Sequence, residues 1–253
     1  MSPAAAKSNA RGRSANGDRK YDEIVEVAGR LFAEKGFDGT SLKDISEQVG
    51  VLKGSLYHHI TSKEDLLEEV IRVGQEGIVE NLLLCETFAE NPLEQLVAFC
   101  YGHVRLNATP ERLVRGVVFL RDGDKLTPRK RTALNKRRDE YDHYLRNILD
   151  QAQAQGLIDP DVHSRICSFA IFGVVTSYIR WYRPGGPMTP HEIGREFAAF
   201  ALASVRRHES FEAGHRWEIV DDVIDRANEW LVEEGLSRLL EPRSAPTKRK
   251  SSR

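Results

Sequence analysis

Apolar residues recur at helical spacing along most of this chain. Ile24, Val27, Ala28, Leu31 and Phe32 fall at i, i+3, i+4, i+7 and i+8, one buried face of an α-helix, and the pattern stops at Gly36. Leu42, Ile45 and Val49 repeat it over a shorter stretch ending at Gly50, and Leu66, Leu67, Val70 and Ile71 resume it after Ser62. Further on, a start signal recurs. Asn91-Pro92, Thr109-Pro110, Thr127-Pro128, Asp159-Pro160 and Thr189-Pro190 each set a capping side chain before a proline. The cap accepts an otherwise unpaired backbone N–H, and proline sits where its missing donor costs nothing. Apolar helical runs such as Leu93/Leu96/Val97/Cys100 and Leu134/Tyr141/Leu145/Ile148/Leu149 follow.

The stretch from Ile166 to Tyr178 is apolar nearly all round, which predicts a central helix facing a core, a cavity or a partner subunit. A helix rich in small and aromatic residues is expected from Pro190 to Arg207. An amphipathic one from Trp217 to Leu240 carries Val220, Val223, Ile224, Ala227 and Leu231 on one face. No strand-type alternation competes, and there is no internal repeat. The predicted fold is all-α, with an N-terminal three-helix head and a C-terminal helical bundle.

Composition changes this picture little. Hydrophobic residues at 40% and charged residues at 30% suit a folded globular chain and exclude a disordered one. A net charge of −1 leaves nucleic-acid binding to the local distribution of charge, because a small head can be basic while the rest is acidic. No apolar run approaches the ~18 residues of a membrane span, and the first residues lack the apolar core of a secretory signal. Cys85, Cys100 and Cys167 are odd in number and set among apolar residues, as expected of reduced thiols in a cytoplasmic protein. The expected organisation is a flexible basic arm over 1–18, a DNA-binding head over 19–65, a ligand-binding and dimerisation domain over 66–240, and a flexible basic tail over 241–253.

The candidate chemistry is concentrated between Thr40 and Val70. A short amphipathic helix from about Leu42 to Val49 meets Gly50, whose missing Cβ permits the positive φ of a tight turn, and a second short helix runs from about Lys53 to His59. Helix, glycine turn, helix is the layout in which the second helix enters the major groove. Lys53 and Ser55 stand at the start of that helix, where side chains reach base edges and free N–H groups face phosphates. Tyr57, His58 and His59 follow along it. Lys63 opens the next helix, and Thr40, read as the cap of the first short helix, offers a hydroxyl to a phosphate. The plain alternatives are that Tyr57 and His59 fill the small core, and that Lys53 and Lys63 are solvated charges.

These residues resemble the head of the TetR family of repressors. The likeness covers Arg19 to about Ile71 and rests on Phe32, Ala33, Gly36, Phe37, Thr40, Ile45, Gly50, Ser55, Leu56, Tyr57, His59, Lys63, Glu64 and Leu66, with Ile60 in place of the usual Phe. The resemblance implies phosphate contacts from Thr40, Ser55, Tyr57 and Lys63, base-facing positions at Leu52, Lys53, Gly54 and His58, and a packing role for His59. Lys7, Arg11, Arg13, Arg19 and Lys20 would form an arm able to reach a minor groove or serve only as a solubilising tail.

In the body, the segment YIRWYRPGGPMT from Tyr178 to Thr189 is similar to a branch of the family that responds to acyl-CoA thioesters. That likeness implies that Arg180 lies near a pocket mouth, where a guanidinium can pair with coenzyme A phosphates. Thr176 and Phe172, one and two turns earlier, and Phe119 are the other candidate ligand-binding residues. Trp181, Tyr182 and Arg183 are alternatives for a dimer contact. The implied partners are double-stranded operator DNA, a small-molecule effector and a second copy of the chain, with no membrane, metal or cofactor. The rival readings are a DNA-binding adaptor without a ligand switch, or an activator. An enzyme is disfavoured, since no nucleophile elbow or phosphate loop is present, and Cys100-x-x-His103 reads as a core cysteine beside a surface histidine.

Overall fold

A computed structural model describes residues 15–205 and 215–236. Among them every regular element is helical. In chain order the α-helices are α1 (Ala15–Lys35), α2 (Leu42–Val49), α3 (Lys53–Leu56), α4 (Lys63–Gly74), α5 (Glu76–Glu86), α6 (Pro92–Asn107), α7 (Pro110–Asp122), α8 (Pro128–Ala154), α9 (Ser164–Trp181), α10 (Pro190–Val205) and α11 (His215–Glu233), with a 3-10 turn at Gly123–Lys125 between α7 and α8. Lys7, Arg11 and Arg13 of the expected arm and the whole expected tail lie outside the described residues. Arg19 and Lys20 belong to α1 rather than to an arm, and Lys20 donates to the Val49 carbonyl at 3.2 Å.

Two compact units are present. One holds the chain up to Val73 together with Val114–Arg131, and the other holds Gly74–Leu113 and the chain from Thr132 onward. The head therefore extends beyond the expected boundary at 65 and recruits most of α7. Its core is Ile24, Val27, Ala28, Leu31 and Phe32 from α1 with Ile45, Leu56, Leu66, Leu67 and Val70, all buried. Gly36 ends α1 with φ 81° and Gly50 ends α2 with φ 73°, conformations that cost a side-chain-bearing residue dearly.

The second unit is built around α6. From Pro92 to Leu106 nearly every residue of that helix is buried, so it is α6, rather than the expected 166–178 segment, that is covered on all sides. Four of the five cap-proline signals open helices: α6, α7, α8 and α10. Asn91 accepts from the Leu93 and Glu94 amides, and Thr189 forms a reciprocal pair with Glu192. The fifth is a correction. Asp159 caps a turn, accepting from the Asp161 amide at 2.9 Å, and α9 begins only at Ser164.

The segment beyond the bundle covers the body of its own chain. Val220, Val223, Ile224, Ala227 and Leu231 of α11 are buried, the first four of them in the main core. Arg195 makes a two-point contact with Asp221 (2.6 and 2.8 Å), Arg226 pairs with Glu94, and Tyr101 donates to Asn228 at 2.9 Å. α11 is thus tied to both α6 and α10.

Candidate nucleic-acid interface and effector site

The recognition turn is held from beneath by Leu56 and Ile60, both buried, while the side chains around them point outward. Leu52 is 81% exposed and Tyr57 50% exposed, and Lys53, Gly54 and His58 are exposed as well. Ser55 and His59 are half-buried. α3 is shorter than expected: regular helix ends at Leu56, and Tyr57 to His59 form a turn stitched by the His59 amide to the Leu56 carbonyl at 2.9 Å. A Cβ at Gly54 would meet no protein atom within 4 Å, so internal packing does not demand glycine there. An exposed leucine beside an exposed lysine, tyrosine and histidine is a surface suited to a partner carrying both apolar groups and hydrogen-bonding edges, such as the floor of a major groove.

Two of the expected phosphate contacts need revision. Thr40 is buried, and its hydroxyl donates to the Leu31 and Gly36 carbonyls (3.1 and 2.8 Å), so it holds the turn instead of facing a phosphate. The cap of α2 is Ser41, in a reciprocal pair with Asp44 whose hydrogen bonds from Ser41 hold that carboxyl below its ordinary range. Lys63 uses two of its three ammonium protons on the Phe37 and Thr40 carbonyls (2.9 and 3.0 Å) and lies 4.2 Å from the Phe37 ring centre. One donor remains.

The last turn of α7 and the start of α8 lock this unit. Arg121 donates to the Phe32 and Ala33 carbonyls at the end of α1, and Asp122 accepts from the Phe37 amide at 3.3 Å. Lys130 pairs with Asp65 and Glu68, and that contact keeps the Asp65 carboxyl below its usual range. Glu64 accepts from the Thr127 amide at 2.8 Å. These contacts satisfy the free carbonyls at the end of α1 and hold the entry to α4.

In the second unit, Phe172, Thr176 and Arg180 stand a turn apart along α9. Arg180 is exposed, Phe172 packs against the core, and the Thr176 hydroxyl donates to the Phe172 carbonyl at 2.7 Å. Phe119 belongs to the first unit, so the four expected ligand residues do not form one cluster within a unit. Tyr182 is buried against Tyr178 in its own chain rather than offered to a partner.

The polar centre of this unit was missed from sequence. His103 is 6% exposed, not a surface residue, and burial lowers its pKa to about 4. Its Nδ1 lies 3.1 Å from the Tyr141 hydroxyl, which accepts from Asn81 Nδ2 at 2.5 Å. Asn81 Nδ2 also donates to the Phe99 carbonyl at 2.9 Å, and its Oδ1 sits where a Cβ at Gly102 would be only 2.0 Å away. The rings of Phe172 and Tyr178 meet His103 edge to face, with centres 6.1 and 6.2 Å away. Burial raises the Tyr141 and Tyr178 hydroxyl pKa values well above the ordinary range, so both stay protonated. The available signal was the apolar surroundings of residue 103 on a helix buried all round.

Known proteins match this architecture. Residues 24–70 match the bacterial regulatory proteins of the tetR family, and residues 89–205 match the tetracyclin repressor-like C-terminal domain. The HTH-type transcriptional repressor KstR2 of Mycobacterium tuberculosis is 27% identical over 186 residues, 73% of this chain and 92% of that protein. The solved structure of the TetR family transcriptional regulator PfmR from Thermus thermophilus is 32% identical, covering 73% of this chain and 99% of that one, with a TM-score of 0.66. That of AibR in complex with isovaleryl coenzyme A and operator DNA is 30% identical, covering 72% and 97%, with a TM-score of 0.65. The matched C-terminal domain stops where α10 ends, which leaves α11 outside it. With both its head and its body matched, the chain belongs to the TetR family of bacterial regulatory proteins.

Proposed function

We propose that this chain is a repressor that binds operator DNA as a homodimer and is released from it by an acyl-CoA thioester. The observation that carries the DNA-binding half is the outward face from Leu52 to His58, presented on a short helix after a left-handed glycine turn. Lys53, Leu52, Gly54 and His58 are assigned to base edges, and Ser55, Tyr57 and the remaining donor of Lys63 to phosphates. AibR, bound to isovaleryl coenzyme A and operator DNA, supports the same pairing of DNA and thioester here, and the HTH-type transcriptional repressor KstR2 supports repression. Arg180, exposed at the end of α9 one and two turns beyond Thr176 and Phe172, is assigned to the coenzyme A phosphates.

The dimer is assigned to α9 and α10. Ile166 (61% exposed), Phe169 (51%), Trp181 and Phe200 leave an apolar face uncovered in the single chain, and a second copy offers the same face by two-fold symmetry. Two heads then meet a near-palindromic site. The function is tested by titrating labelled operator DNA with the protein while acyl-CoA thioesters are added. DNA held in their absence and released in their presence is expected.

A further inference from the structure

Among the buried side-chain atoms of the body without a hydrogen-bond partner, which include Gln75 Oε1 and Asn81 Oδ1, two are carried on neighbouring aromatic rings: His103 Nε2 and the Tyr178 hydroxyl. Their rings lie 6.2 Å apart and steeply inclined, with Phe172 against His103 and Tyr141. A buried polar atom left unpaired is costly, typically by ~1–3 kcal/mol, so native interiors rarely leave two together unless water or a ligand completes them.

The surrounding hydrogen bonds determine what His103 offers. Asn81 spends both amide protons, on the Phe99 carbonyl and on the Tyr141 oxygen. Tyr141 therefore accepts from Asn81, and its own proton finds its acceptor in His103 Nδ1. An imidazole that accepts at Nδ1 and is neutral carries its proton at Nε2. The unpaired atom is thus an N–H donor, fixed in tautomer by a chain of three side chains from α5, α6 and α8. Tyr178, protonated, adds an O–H donor from α9.

We propose that His103 Nε2 and the Tyr178 hydroxyl form the polar anchor of the effector site and grip an uncharged carbonyl oxygen of the effector. The proposal rests on the effector reading above and adds a chemical requirement to it. Two donors on aromatic rings suit an acceptor oxygen set in an apolar body, and the buried, neutral imidazole brings no charge to balance a carboxylate. The oxygen is that of the thioester itself or of an oxo group along the acyl chain; both present the same lone pairs to the same donors. A hydrocarbon tail alone would leave both donors unpaired and bind less well.

The test uses the full chain, the His103→Phe and Tyr178→Phe variants, and nitrogen-labelled histidine. Octanoyl-CoA, β-oxo-octanoyl-CoA, the carbonyl-free thioether S-octyl-CoA and cyclohexanone are titrated by calorimetry, with the His103 Nε2 resonance followed in parallel. The expected result is that a carbonyl-bearing thioester binds at least tenfold more tightly than S-octyl-CoA and shifts the Nε2 resonance. Each phenylalanine variant should remove that preference while binding operator DNA as the wild type does. Preference for octanoyl-CoA over S-octyl-CoA identifies the thioester oxygen, and a further gain with the β-oxo compound identifies the chain oxygen. Thioesters that bind wild type and both variants alike overturn the anchor and leave the acyl-CoA reading standing. Thioesters that fail while cyclohexanone shifts Nε2 overturn the acyl-CoA reading and keep the anchor. No shift with any probe overturns the anchor and leaves the two donors to a structural water.

Discussion

In the head, the candidate recognition side chains lie between Leu52 and His58 and face outward, while in the body Asn81, His103, Tyr141 and Tyr178, with the half-buried Phe172 against them, come from four helices and lie inside. The first arrangement suits a polymer read from outside, with local backbone geometry aiming each side chain. The second suits a small molecule enclosed by the bundle, with long-range packing aiming them. Damage should differ accordingly. A change on the head's outer face should alter binding with little cost in stability, and a change in the polar centre of the body should register in stability as well as in ligand response.

The largest effect expected is from Leu56→Ala. This side chain is fully buried beneath the recognition turn, and its removal should cost about 2–5 kcal/mol and abolish operator binding along with the head's fold. Chemical denaturation followed by anisotropy on DNA checks it. A variant that is destabilised yet binds DNA normally would break the link between Leu56 and the outward face.

Acid should expose the body's polar centre next. The His103 pKa falls from 6.5 to about 4 in the folded chain, so between these values the unfolded state binds a proton that the folded state refuses. The stability associated with neutral His103 is complete above pH ~6.5 and is lost as the pH falls through about 4, amounting to roughly 3 kcal/mol at 1.36 kcal/mol per unit. In His103→Phe that part of the slope should vanish. Denaturation between pH 4 and 7 (a range of about three units around the histidine titration) reads it, and an unchanged slope would place His103 outside the buried network.

On the outer face, Lys53→Ala should cost ~1–3 kcal/mol at one contacted base pair and relax preference there, with stability unchanged. Competition between operator variants measures it. On the dimer face, Phe169→Glu should shift sedimentation toward the monomer without unfolding the bundle, because half of that ring is exposed in the single chain. The smallest and sharpest contrast is Gly54→Ala. With no protein atom near the new methyl, the chain should gain about 0.5–1 kcal/mol from the helix preference of alanine while operator affinity falls. A gain in stability without a loss of affinity would remove Gly54 from the interface.

The same contrast explains what could be read without coordinates. α1, α2 and α4 follow from apolar spacing, and the turns at Gly36 and Gly50 from residues whose chemistry acts locally. The exposure of Leu52, Lys53, Gly54, Tyr57 and His58 follows from the same local geometry. Thr40 and Lys63 were misjudged in part because nearby carbonyls capture their donors, a competition that spacing does not reveal. The Asp159-Pro160 signal made a turn instead of a helix start, since a capping side chain before proline serves either. The Asn81–Tyr141–His103 chain joins residues separated by 60 and 38 positions, and no local pattern marks it. The recruitment of Val114–Arg131 to the head escaped notice likewise, because it depends on Arg121, Asp122 and Lys130 finding partners far away in the chain.

The measurement that bears most directly on the central claim is fluorescence anisotropy of labelled DNA from upstream of the protein's own gene, titrated with the full chain, then with acyl-CoA thioesters and with free coenzyme A. The account predicts tight binding, release by a thioester and no release by free coenzyme A. Binding indifferent to every thioester would contradict the effector half, and failure to bind operator DNA at all would contradict the assignment of the outward face from Leu52 to His58.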